Sequence, residues 1–272
     1  MPATPAPSSA MRSPQPAPGP SAPEKPRSAS RAVLVTEARL FLREPGALFW
    51  MLVFPTLLLT ILGLIPSFRE ASPSLGGRRT IDLYVPVVLL LAAITAGIQV
   101  MPSVLTGYRE RGILRRMSAT PVRPAALLGA QIALHGAAAV LSMAVALVVG
   151  RLAFGVALPE RPLSYALALV LTLCSALVMG CVICSLSPST KAAGVVGSAV
   201  FFPMMFAAGV WVPVQAMPDL LQRIVQLVPF GAASQALAQA SSGHWPGWWQ
   251  LAVPAAWALV LGRIARRHFR WE

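Results

Sequence analysis

Six long apolar runs, at about 47–65, 83–104, 125–149, 162–184, 192–212 and 248–263, alternate with short segments that hold nearly all of the charge. Each is close to the ~20 residues that an α-helix needs to cross a bilayer. The pattern predicts an all-α integral membrane protein with six transmembrane helices. Pro55 and Pro203 fall inside the first and fifth runs, where neighbouring helices can supply partners for the backbone groups a proline frees. Ahead of the first run, Leu34, Ala38 and Phe41 recur at helical spacing while Thr36, Arg39 and Arg43 share another face. This predicts an N-terminal amphipathic helix at the membrane surface, stopped by Pro45-Gly46. Between the fifth and sixth runs, Leu220, Leu221, Ile224, Val225 and Val228 form one face and Asp219, Gln222, Arg223 and Gln226 the other. Pro229 and Gly231 then break the helix, and a second short one can run through Ala240. Met217–Ala240 is therefore expected to be an outer re-entrant helix pair that dips in and returns without crossing.

Composition adds a boundary. Residues 1–27 hold nine of the 26 prolines among Ser and Ala, a mixture that cannot bury a core and is expected to be a disordered tail. It lacks the apolar middle of a secretory signal, so cleavage is not expected. Residues 28–272 form the six-span domain. There the chain is strongly apolar, with 56 % hydrophobic and 11 % charged residues overall, against roughly 25 % charged in soluble domains.

The net charge of +13 would suit a nucleic-acid partner, but the basic residues sit in loops and tails between apolar runs. That placement sets membrane orientation, and no nucleic acid is expected. With both termini cytoplasmic, sixteen Lys and Arg face the cytoplasm and six face outward. The outward ones are Arg69, Arg78, Arg79, Arg151, Arg161 and Arg223, with Glu70 and Asp82 beside the first three.

Candidate chemistry is sparse. Cys181 and Cys184 have the spacing of a redox or zinc pair, but no second pair or nearby His completes a site, so both are expected to pack as small apolar residues. No metal site and no catalytic residue is expected. A proton-coupled secondary multidrug exporter is one alternative function, but such carriers place carboxylates or histidines within their spans. His135 is the only ionisable residue inside a run. A membrane-embedded enzyme is an alternative from another class. Ser142 lies two helical turns from His135, yet no His-Glu-x-x-His or Gly-x-Ser-x-Gly occurs.

One connection stands apart. "GYRERGILRRMSATPVRP", residues 107–124, holds six charges between two apolar runs. Placed mid-bilayer these would cost roughly 15–21 kcal/mol at about 2.5–3.5 each, so the stretch belongs in water or against protein. Ile113, Leu114 and Met117 can form an apolar edge of a short helix, with Arg111 and Arg115 on another. Thr120-Pro121 ends it and Pro124 suits the first turn of the next span.

The stretch resembles the first cytoplasmic loop of type-two ABC exporter permeases, the family that includes the daunorubicin-resistance permease. Arg109, Glu110, Arg111, Gly112, Leu114, Thr120, Pro121 and Val122 match the family pattern, with Ile113 in place of its usual Thr. Arg43, Pro45 and Pro55 resemble the family's entry into span one. Gly209, Pro213, Met217, Pro218 and Pro229 resemble its span-five exit, with Val228 for the usual Asn and no Arg near Gln239. The resemblance implies a permease subunit of an ATP-driven exporter in a bacterial cell membrane, multi-pass with cytoplasmic termini. Its loop residues Arg109, Glu110, Arg111, Gly112, Leu114, Arg115, Thr120 and Pro121 would form a coupling helix seated on a separate ATPase. That partner, in two copies, would carry ATP and Mg, since this chain has no phosphate-binding loop and binds no cofactor. A second permease copy, as a homodimer, would complete the machine. The family pathway runs at the dimer interface and would use Phe201, Phe202, Met205 and Phe206, whose rings and thioether suit a hydrophobic drug-like compound, a lipid or a glycan.

Overall fold

The computed structural model describes residues 26–73, 77–113, 116 and 124–268. The expected disordered tail lies almost wholly outside the described residues. Nine helices account for the described chain: α1 Pro26–Phe41, α2 Pro45–Leu64, α3 Thr80–Glu110, α4 Pro124–Phe154, α5 Pro162–Leu186, α6 Thr190–Ala208, α7 Asp219–Val225, α8 Pro229–Ser241 and α9 Trp248–His268. Single turns such as Pro66–Arg69 and Val214–Ala216 join them, and one antiparallel bridge pairs Ala71 with Arg79.

Five helices, α2 to α6, are long and apolar enough to cross a membrane. The run expected to be a sixth span lies in a helix, α9, of 21 residues, but Gln250, Pro254 and the Arg263–Arg267 end leave it less apolar than the five. The fifth span stops four residues short of its expected end. Gly209 takes a φ of +90°, its N–H reaches the Phe206 carbonyl and the Val210 N–H reaches the Met205 carbonyl. This paired closure suits glycine, which alone adopts positive φ at no steric cost.

The hub of the bundle is α3. Its most apolar stretch is 94 % buried, against 22 % in α2 and 28 % in α6. Helices α2, α4, α5, α6 and α8 all pack on it, while Leu57, Ile61 and Leu64 of α2 and Val195 and Val196 of α6 stay exposed. At 1.5 Å per residue, its 31 residues span about 46 Å, longer than the ~30 Å hydrocarbon layer. Closest contact falls at Gly97, where a Cβ would lie 2.4 Å from the Ala176 carbonyl carbon, and at Gly180, where one would lie 1.9 Å from the Gly97 carbonyl oxygen. Small residues at such points let two backbones touch where no hydrophobic effect drives helices together.

Two helical segments loosen into π-turns, at Phe49–Val53 in α2 and Thr95–Val100 in α3. Each ends two residues before a proline, Pro55 or Pro102. The widened turn accommodates the missing N–H and the ring that would clash with a regular preceding turn.

At the other end of α3, Arg79 grips Asp82 at 2.9 and 2.6 Å and donates to the carbonyls of Phe154 and Gly155 at 3.0 and 3.2 Å. The Asp82 hydrogen bonds raise the Arg79 pKa above its ordinary value. One of the arginines on the side expected to be poor in them is thus neutralised and ties α3 to the last turn of α4.

The segment after α6 forms two short helices broken before Pro229, as its pattern predicts. Helix α8 is largely buried against α5, α9, α6 and α3. Gly231 lets the end of α7 close on the first turn of α8, because a Cβ there would meet the Val225 carbonyl oxygen at 2.0 Å. Gln239 closes the following turn by accepting the Gly247 N–H at 3.2 Å.

Candidate functional site

The charged connection begins inside a helix. Residues 107–110 are the last turn of α3, and Gly112, at φ +64°, stops it as its N–H closes on the Arg109 carbonyl at 2.9 Å. Arg111 folds back, donating from Nε to the Gly107 carbonyl at 3.1 Å with its guanidinium 5.6 Å from the Tyr108 ring centre. Leu114, Arg115, Thr120 and Pro121 lie outside the described residues.

Arg109 and Glu110 fasten two other helices. The Arg109 guanidinium donates to the Cys184 carbonyl at 3.4 Å and to the Ser187 carbonyl, at the C-terminal end of α5. The Glu110 carboxylate accepts the Thr190 backbone N–H at 2.9 Å and the Thr190 hydroxyl, at the N-terminus of α6. Ser189 adds a side-chain cap by accepting the Ala192 N–H at 3.1 Å. A cation on terminal carbonyls and an anion on terminal N–H groups both suit the helix dipole, and they satisfy backbone groups with no partner inside their own helices. The adjacent pair therefore clasps the α5–α6 turn to the end of α3. Beside the clasp lies a shallow recess formed by Glu44, Ser103, Gly107, Glu110, Arg111 and Thr190.

Sequence reasoning singled out Arg109 and Glu110 but not their partners. Ser189-Thr190 ahead of an apolar helical run is an N-cap signal from which the turn could have been read.

A second polar group was missed. Glu37 of α1 is 8 % exposed and accepts hydrogen bonds at Oε2 from the Tyr108 hydroxyl and from Gln131 Nε2, both at 2.6 Å. This joins α1, α3 and α4 one residue away from the Arg109–Glu110 clasp. Its only signal is an acid inside the otherwise apolar and basic stretch of α1.

His135 is fully buried, with Nδ1 2.9 Å from the Gln131 carbonyl and its ring edge-on to Phe41 at 5.4 Å. A carbonyl can only accept, so Nδ1 carries the proton. Among the described residues His135 Nε2 and Ser142 Oγ have no hydrogen-bond partner, so the two are not bonded to each other as a nucleophile and base would be. Cys181 and Cys184 are buried and free, and Cys174 is exposed. Among the described residues no three His, Cys, Asp or Glu come together.

The four residues expected along the pathway occupy different surroundings on α6. At about 100° per residue they span about 140° of its circumference. Met205 is buried in the main core and Phe201 packs partly against it. Phe206 packs on a separate cluster with Val214, Met217 and Val225. Phe202 is 57 % exposed and stacks on Trp211 at 6.4 Å.

A bundle with five helices long and apolar enough to cross a membrane is the architecture of a multi-pass membrane protein. A family model, ABC-2 type transporter, matches residues 29–241, and the chain belongs to that family. Comparison with curated proteins yields no match.

Proposed function

We propose that the chain is the permease subunit of an ATP-driven exporter that works by alternating access with a separate ATPase. Two copies of the permease, as a homodimer, and two of the ATPase would form the machine in a bacterial cell membrane, with both termini in the cytoplasm and α9 as a sixth span. Residues 107–124 would be the coupling element, and α6 would line the path of a hydrophobic drug-like, lipid or glycan substrate. What supports this reading is the clasp. The residues at the start of the proposed coupling element hold the N-terminus of α6, so force on the loop would pass directly to the helix bearing Phe201, Phe202, Met205 and Phe206.

The test is transport by the permease co-expressed with its ATPase. Loss of a helix cap costs about 1 kcal/mol, about fivefold in a two-state equilibrium. Glu110→Ala is therefore expected to lower transport about fivefold while insertion and expression hold, with ATPase activity no longer responding to substrate. Glu110→Gln, which can still accept the Thr190 N–H, should retain most activity. Wild-type transport in Glu110→Ala would refute the coupling role. An inert Thr190→Val beside a disabled Glu110→Gln would move the role of Glu110 from α6 to the ATPase surface.

A further inference from the structure

The bundle has a cavity of about 370 Å³ at the end of α3 remote from Glu110, between the first turns of α3, the α4–α5 loop, α5 and α8. Its size lies within the range of small-molecule sites. Two polar side chains that line it, Tyr165 and Ser234, are each only 4 % exposed. Neither hydroxyl has a hydrogen-bond partner among the described residues. Neither oxygen is sealed from water, so each keeps its hydrogen-bonding capacity open to the cavity. Apolar side chains, among them Leu83, Val85 and Leu147, form the walls around them.

The rim carries charge that the protein leaves uncompensated. Asp82 is matched by Arg79 at 2.6 Å. Arg78 and Glu160 also line the cavity, and neither pairs with an opposite charge among the described residues. Glu160 is nonetheless held in position. Its neighbour Arg161 fastens the loop to the end of α8, by its N–H on the Ala240 carbonyl at 3.1 Å and its Nε on the Gly243 carbonyl at 3.0 Å. The Glu160 carboxylate rests against Gly243, where a Cβ would come within 2.3 Å of Oε2.

We propose that this cavity binds the headgroup of a phospholipid bearing a primary amine. The ammonium would meet Glu160, the phosphate would meet Arg78, and the Tyr165 and Ser234 hydroxyls would bond the ester oxygens. The first carbons of the acyl chains would run along the apolar walls. One free anion and one free cation at the mouth of an amphipathic cavity match a zwitterion better than a ligand of single charge. The site is separate from the α6 residues and does not depend on the transport reading.

The experiment uses the full-length protein in detergent, with dihexanoyl phosphatidylethanolamine titrated and binding read by native mass spectrometry and thermal shift. Saturable binding is expected to weaken about tenfold in Glu160→Gln and in Arg78→Gln, since each removes one charge-assisted contact. Ala238→Leu, which fills the cavity from α8, should abolish it. Dihexanoyl phosphatidylglycerol, without the amine, and phosphoethanolamine, without the chains, should each bind at least tenfold more weakly. The two charge variants change exposed residues, so their folding is expected to be unaffected. No saturable binding, undiminished binding in Ala238→Leu, or equal binding of either control would overturn the proposal.

Discussion

Gly97 and Gly180 meet backbone to backbone, and nothing but hydrogen fits between them. Replacing Gly180 by alanine must push α5 off α3, an overpacking that costs about 1–3 kcal/mol. Thermal unfolding in detergent should show a clear fall in midpoint for Gly180→Ala, while Gly194→Ala, whose Cβ would have nothing within 4 Å, should not. An equal response of the two would mean that the close approach carries no weight. Gly180 sits in a run of small and apolar residues, and nothing local distinguishes it from glycines that face open space. Arg109 and Glu110 were easier to read, because charge at the edge of an apolar run needs a reason. What they bind is not local: their partners lie 75 to 80 residues away.

Helix α1 was recognisable as an element, but its faces were not. Apolar periodicity marks the inward face of a helix in water, whereas in lipid the apolar face can turn outward and the polar one inward. Leu34, expected with Ala38 and Phe41 on the apolar face, is 38 % exposed, while Glu37 is buried. Removing the Glu37 carboxylate would leave the Tyr108 hydroxyl and Gln131 amide without their partner, at about 1–3 kcal/mol for each buried group left unpaired. Glu37→Ala is expected to loosen α1, so that trypsin cuts faster at Arg31 and Arg39. Glu37→Gln, still able to accept one bond, should fall between. Unchanged cleavage in both would show that apolar contact alone holds the helix. The span boundaries were legible where a proline or a charge marks them, at Pro162 and Leu64, and not at α3, whose amphipathic last turn continues the helix beyond its apolar run.

At the scale of the molecule, the order of helices followed from the alternation of apolar and charged segments, and the packing of α3 at the centre did not. A run nearly free of charge looks alike whether it faces lipid or protein. Exposed tryptophans mark both ends of the bundle, Trp50 at one and Trp211, Trp245 and Trp248 at the other, as expected of rings at the two membrane surfaces. In the proposed orientation, single cysteines at Gln215 and Ser242 in a cysteine-free background should react with an impermeant reagent on intact cells, and one at Glu272 should not. Labelling at Glu272 with protection at Ser242 would mean that the segment after α6 crosses the membrane. The glycine contact also divides α3 into two unequal arms. Gly97 stands thirteen residues from Glu110 and seventeen from Thr80, about 20 Å and about 25 Å at 1.5 Å per residue. A rod pivoting there by about 5° would carry the clasp about 1.7 Å one way and the mouth of the cavity about 2.2 Å the other, the size of shift that helices make in switching proteins. The same fulcrum would let an event on one side of the membrane be felt on the far side as a small opposite displacement, with no helix needing to break.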